Sequence, residues 1–156
     1  MTRPHVMFLC WGNICRSPMA EVVARAAADR EGVDAEFSST GISAEESGNP
    51  IDSRAAKVLG AHGYDVHDHH ARQLTATLLE DVDLIVAAEQ YHLDRLAALG
   101  VDVPRTALMT DFDPESVPGS PLPDPWYGDM TDFEDTLAVL ERAMPVLLND
   151  LAEPSA

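Results

Sequence analysis

The sequence predicts an α/β fold: a central four-stranded parallel sheet with helices on both faces, in a single domain over residues 1–156. Three observations predict it. The chain has 156 residues, and a chain of that size forms one domain that buries roughly 70% of its unfolded surface. Its 46% hydrophobic and 24% charged residues exclude a disordered tail and a disulfide-stapled miniprotein. Four short apolar runs alternate with helical patterns, and strands separated by helices imply βαβ units with parallel pairing.

The elements follow in order. Val6-Met7-Phe8-Leu9 is an apolar run suited to a buried strand. Ser17-Pro18 reads as an N-cap followed by proline at the first helical position. The Ala-rich stretch from Met19 to Arg30 is strongly helix-forming. Ala35 to Ser39 reads as a second strand. Asp52 to His62 is helical, stopped by Gly63. Leu74 to Leu79 reads as a short helix, and Leu84-Ile85-Val86-Ala87 as the clearest central strand. Glu89 to Leu99 is a helix that Gly100 ends, and Thr106 to Met109 is a last strand.

Residues 111–130 break the alternation. Five prolines and two glycines there exclude a helix or a central strand. A loop of that length in a compact domain is functional or disordered, and Trp126 and Tyr127 argue for order. Thr131 and Glu134 form a capping-box pattern. Phe133, Leu137, Leu140, Met144, Leu147, Leu148 and Leu151 mark one face of a final helix, which Pro145 should kink or break.

The charge narrows the partners. Twenty-seven acids against ten bases give −17. A nucleic-acid binder needs a basic footprint, so no nucleic-acid partner is expected. No run of apolar residues is long enough to span a membrane. The N-terminus lacks a signal-peptide pattern, so a cytoplasmic protein is expected, acting as a monomer or weak dimer. Residues 111–156 hold eleven acids and one base, Arg142, whereas residues 1–30 hold four arginines and two acids. An anionic ligand is therefore expected near the N-terminal end.

The two cysteines, Cys10 and Cys15, lie five residues apart. A structural zinc site needs four ligands, and no CxxC or matching His pair is present. The pair points either to thiol chemistry or to simple burial. Cys10 follows the first strand, and open α/β sheets bind ligands outside the carboxyl ends of their strands. The segment Cys10-Trp11-Gly12-Asn13-Ile14-Cys15-Arg16-Ser17-Pro18 returns from that strand into a helix. Backbone N–H groups in such a loop form an anion nest, and the helix start adds free donors. Gly12 and Asn13 tolerate the positive φ a tight loop needs. Arg16 offers a planar fork for two phosphate oxygens. The same positive field favours a thiolate at Cys10, a nucleophile aimed at phosphorus. The alternatives are a buried core cysteine at a strand end and an ordinary arginine at a helix start. The helix dipole disfavours that cation, which itself suggests an anionic partner.

The run CWGNICRSPMAE closely resembles the active-site loop of the low-molecular-weight protein tyrosine phosphatases, and Asp124-Pro125-Trp126-Tyr127-Gly128 resembles their general-acid loop. The resemblance covers essentially the whole chain. It implies a metal-independent phosphatase without a cofactor, acting on phosphotyrosine in protein substrates through a phosphocysteine. By the same resemblance Cys10 is the nucleophile, Arg16 holds the phosphoryl oxygens and Asp124 is the general acid. Trp11, Gly12, Asn13, Ile14 and Cys15 complete the phosphate loop, and Trp126 and Tyr127 line the cleft. Ser17, Ser39 and His62 support the network, and Cys15 can form a protective disulfide with Cys10.

Two features depart from the family pattern. Trp11 is larger than usual. The segment Ile42-Ser43-Ala44-Glu45-Glu46-Ser47 lacks the aromatic wall residue of many relatives, and Trp11 is expected to take over that wall. The two acids should disfavour acidic phosphopeptides and favour basic flanking residues. Three rivals share the loop or its chemistry. Thioredoxin-coupled arsenate reduction needs later cysteines, and none follows Cys15. The arginine-phosphatase branch typically has Thr where Ile14 stands. A phosphoprotein-binding or redox module would not need Cys10, Arg16 and Asp124 together.

Overall fold

A computed structural model describes residues 3–66, 68–100 and 105–152. Four strands, β1 (His5–Cys10), β2 (Glu36–Gly41), β3 (Leu84–Ala87) and β4 (Arg105–Leu108), form one sheet in the order β2-β1-β3-β4. Every pair is parallel. Five helices accompany them: α1 (Arg16–Glu31), α2 (Ser53–Ala61), α3 (Ala76–Leu79), α4 (Gln90–Ala98) and α5 (Met130–Ala152).

Strand alternation divides the core between the two faces of the sheet. Val6, Phe8, Leu84 and Val86 join the larger cluster with Met19 and Val23 of α1, Leu59 of α2, and Phe133, Leu137, Leu140 and Met144 of α5. Met7, Leu9, Ile85 and Ala87 pack on the other face with Leu79, Leu96 and Leu74. Chain order reverses beside β1, with β2 on one side and β3 on the other. Cys10, the last residue of β1, therefore stands at a topological switch point, where open α/β sheets leave a crevice.

Three sequence expectations change. First, α1 starts at Arg16 with Cys15 as its cap, and no side chain caps it. Ser17 lies inside the helix because its hydroxyl is turned back toward Cys10 rather than onto the helix N–H groups. Second, α5 starts one residue before Thr131. Asp129 and Asp132 exchange the capping bonds: Asp129 Oδ1 accepts from Thr131 N at 3.0 Å, and Asp132 Oδ2 accepts from Asp129 N at 2.9 Å. Glu134 is bound to His62 instead. Third, α5 runs unbroken past Pro145. Met144, Leu147 and Leu148 are buried on both sides of it, and that packing offsets the missing backbone bond.

The proline-rich segment is ordered by specific anchors. The fork of Arg142 donates to both carboxylate oxygens of Asp113 at 2.9 Å, and Ser116 Oγ donates to the same group at 2.6 Å. Leu122 is buried, and its N–H donates to Ala88 O at 2.8 Å beside the end of β3. The chain then turns through a short 3₁₀ segment, Pro125–Tyr127, into α5.

Candidate active site

The loop after β1 closes between Cys10 and Arg16. Its shape depends on Asn13, whose φ is 60°. That left-handed conformation is uncommon outside glycine, and asparagine tolerates it best. Asn13 is fully buried and tied from every side. Its Oδ1 accepts from Arg72 N at 3.0 Å, and its carbonyl accepts from His69 Nε2 at 2.7 Å. Its Nδ2 donates to Ser17 Oγ at 2.8 Å and to Ser39 Oγ at 3.0 Å. Ser39 in turn donates to Glu21 Oε1 at 2.7 Å.

This chain of bonds has a direction. Ser17 Oγ accepts from Asn13, so its own proton is free to point to Cys10 Sγ at 3.0 Å. The alternative acceptor, Thr40 O, is farther at 3.4 Å. A hydroxyl donor aimed at sulfur stabilises negative charge there. No cap side chain occupies the first turn of α1, and its N–H groups remain available to an anion in the loop.

The loop fits only because Gly41 ends β2. A Cβ at position 41 would lie 2.7 Å from Trp11 O and 3.1 Å from Asn13 N. Backbone bonds from Ile42 N to Cys10 O (3.0 Å) and from Ser43 N to Trp11 O (2.9 Å) seal the two segments together.

Arg16 is 4% exposed. Its Nη1 donates to Glu89 Oε2 at 2.8 Å and to Leu122 O at 2.6 Å. Its Nη2 is 3.7 Å from Asp124 Oδ2. A buried cation is thus held by a carboxylate and a carbonyl on its far edge, which fixes the guanidinium plane. Asp124 itself caps the following turn, accepting from Trp126 N at 3.1 Å. Burial first, then the Asp52 carboxylate, pushes the Cys15 thiol well above its ordinary range, so Cys15 is a protonated thiol.

One cleft collects these groups. Cys10, Trp11, Gly12, Ile14, Cys15 and Arg16 form its floor, and Glu45, Glu46, Asp124, Trp126 and Tyr127 its rim. Trp11 stacks on Tyr91, with ring centroids 5.8 Å apart. Trp126 and Tyr127 meet edge to face at 5.1 Å.

Of the residues that the sequence singled out, His62 stands apart. Its Nε2 meets Glu134 Oε2 at 2.7 Å, outside the loop network. Among the described residues, His69 is the histidine that hydrogen-bonds the loop, through Asn13 O. The stretch after it runs behind the cradle, where Gly41 N donates to Arg72 O and Leu74 N to Gly41 O. Sequence reasoning also missed Glu21, Arg72, Glu89, Tyr91 and Gly41. Only Gly41 carried a local signal, since a glycine at a strand end marks a close backbone approach.

A thiol beneath a loop of backbone donors, with a fixed arginine and a carboxylate across the cleft, defines a cysteine-dependent phosphatase. Residues 5–156 match the low molecular weight phosphotyrosine protein phosphatase family, and the chain belongs to that metal-independent family. It is 43% identical over 146 residues to low molecular weight protein-tyrosine phosphatase A of Mycobacterium tuberculosis, covering 92% of this chain and 88% of that one. It is 39% identical over 155 residues to the low molecular weight protein-tyrosine-phosphatase of Streptomyces coelicolor, covering 96% and 94%. The crystal structure of YfkJ from Bacillus subtilis superposes with a TM-score of 0.87 at 28% identity, covering 97% and 96%.

Proposed function

We propose that this chain hydrolyses phosphotyrosine on proteins by a two-step route through Cys10, Arg16 and Asp124. The observation that carries the reading is their convergence on one cleft, with the Ser17 hydroxyl 3.0 Å from the Cys10 sulfur. In the first step the Cys10 thiolate attacks phosphorus and the bond to the tyrosine oxygen breaks. The Asp124 proton goes to that departing oxygen. Arg16 and the loop N–H groups hold the three equatorial oxygens as charge shifts among them. In the second step water attacks the phosphocysteine and gives its proton to Asp124, while the P–S bond breaks and the thiolate returns. The apolar side chain of Ile14 and the rings of Trp11, Trp126 and Tyr127 suit an aryl group.

We assign Cys15 a redox role. When a peroxide converts Cys10 to its sulfenic acid, the Cys15 sulfur displaces water from it and a disulfide forms. Both cysteines are free thiols lining the same cleft, which supports this pairing. We further propose a cytoplasmic enzyme that acts as a monomer or weak dimer without a membrane partner, and the net charge of −17 supports the absence of a nucleic-acid partner.

The test is hydrolysis of p-nitrophenyl phosphate without metal and with reductant. Wild type should turn over, Cys10→Ser should abolish turnover, and Asp124→Ala should lower it by about 10²-fold or more. A folded, reduced wild type that shows no turnover sinks the reading.

A further inference from the structure

Beyond the burial of Pro125 and the 3.7 Å approach of Asp124 Oδ2 to Arg16 Nη2, few contacts hold the turn that carries Asp124. Residues 123–128 belong to no strand and no long helix, and Tyr127 is 84% exposed. The hydrogen bonds from Trp126 N to Asp124 and from Gly128 N to Pro125 O stay within the segment. Pro123 and Pro125 fix their own φ angles but do not fix the turn against the rest of the molecule. Among the described residues, only two hydrogen bonds tie this segment to the rest of the chain. Both come from Arg54 on α2. Its Nη2 donates to Trp126 O at 3.1 Å, and its Nη1 donates to Gly128 O at 3.2 Å.

Arg54 is itself locked. Nε donates to Asp52 Oδ1 at 3.1 Å, and Nη2 donates to Asp52 Oδ2 at 3.0 Å. Its guanidinium carbon sits 4.7 Å above the centre of the Phe133 ring, at the start of α5. Asp52 caps α2 through Arg54 N, and its own N–H donates to Ile14 O in the phosphate loop at 2.8 Å. One short path therefore runs from the cradle through Asp52 and Arg54 to the turn. A planar fork suits this task because it serves a carboxylate and two carbonyls at once, which an ammonium cannot do in one geometry.

We propose that Arg54 is a positioning residue for the proton donor, fixing the Asp124 turn in register with the phosphate cradle. It touches neither substrate nor the reacting atoms. Its effect passes through Asp124, whose proton transfer depends on placement within hydrogen-bond reach of the leaving oxygen. The inference rests on the phosphatase reading above.

The test exploits leaving groups that differ in their need for a proton. Phenyl phosphate expels a basic phenolate and needs Asp124, whereas dinitrophenyl phosphate expels a stable one and does not. Arg54→Met keeps an unbranched side chain of similar reach and removes the fork together with its stacking on Phe133. It should lower kcat/KM for phenyl phosphate by about tenfold or more, as misplaced catalytic groups do. For dinitrophenyl phosphate the change should stay within about twofold, and inhibition by inorganic phosphate should be equally unaffected, since the cradle is intact. In the Asp124→Ala background Arg54→Met should add little further loss on phenyl phosphate, because both act through one group. Should Arg54→Met fail to fold, Arg54→Lys should show the same selectivity to a smaller degree. Equal losses on both esters, no loss on either, a parallel weakening of phosphate inhibition, or additive losses with Asp124→Ala would each overturn the proposal. A failure of the phosphatase reading is told apart from these, since it leaves wild type inactive or Cys10→Ser active.

Discussion

The charge of Arg16 acts on a second basic group, His92. His92 is 2% exposed, and its Nδ1 has no hydrogen-bond partner among the described residues. Burial first, and then the Arg16 charge, lower its folded pKa to about 4. An unfolded histidine titrates near about 6.5. As pH falls below that value the unfolded chain takes up a proton that the folded chain refuses until about pH 4. His92 thus erodes stability across that window and has no effect above it. Urea unfolding of wild type and His92→Asn at several pH values should show the wild type losing more stability between these limits. Parallel pH curves would remove His92 from the account. Cys15 gives a second test. Peroxide-inactivated wild type should regain full activity with dithiothreitol, whereas Cys15→Ala should remain irreversibly oxidised. Equal recovery in both would end the redox role.

The individual residues also mark how far the sequence could be read. Cys10, Asn13, Arg16 and Ser17 were legible because their chemistry is contiguous, and the loop that needs them is local. His69 and His62 were not separable, because both sit in a histidine-rich stretch with no periodic pattern. What distinguishes them is the path of the chain behind Gly41, a tertiary fact. Glu89 anchors Arg16 from the start of α4, and no local feature of that helix announces it.

The segment between β4 and α5 is long, yet it holds its place through a few strong contacts. Asp113 is the strongest. Hydrogen bonds from Arg142, then those from Ser116 and Glu115 N, keep its carboxyl well below the usual carboxylate range despite burial. Its contribution is complete above the unfolded carboxylate pKa of about 4 and is lost as pH falls below that toward its folded value. Asp113→Asn should cost about 2–3 kcal/mol at neutral pH, at the low end for a broken buried pair because Arg142 is partly exposed. The gap to wild type should close in strong acid. A denaturant midpoint unchanged at neutral pH would show the loop to be held by Leu122 and its neighbours instead. The elements themselves were largely readable from periodicity, and β3 matches the expected span. The misplaced caps of α1 and α5 share one cause. In both, the residue with the right side chain was committed elsewhere, Ser17 to Cys10 and Glu134 to His62. Cap propensity yields to a stronger tertiary partner.

Taken as a charged body, the molecule is strongly anionic, and the cradle around Arg16 opens through an acidic rim at Glu45 and Glu46. Such a field draws in peptides with basic residues around the phosphotyrosine and repels acidic ones. The ratio of kcat/KM for Lys-flanked over Glu-flanked phosphotyrosine peptides should exceed one at low salt and shrink as salt rises, because exposed charges are screened. Glu45→Gln with Glu46→Gln should reduce it further. A ratio insensitive to both salt and these substitutions would leave the rim without a part in selection.

Gly41 shows where such variation must stop. Glu45 and Glu46 can change in charge and size without touching the reacting groups, because they line the cleft mouth apart from Cys10, Arg16 and Asp124. Position 41 has no such latitude. A single methyl group there meets backbone rather than side chain, and the phosphate loop is the neighbour that would have to give. The enzyme can therefore drift in what it selects while a residue that never meets substrate stays frozen, and a one-codon change at Gly41 is a route to silencing the catalyst with its nucleophile, arginine and acid all still encoded.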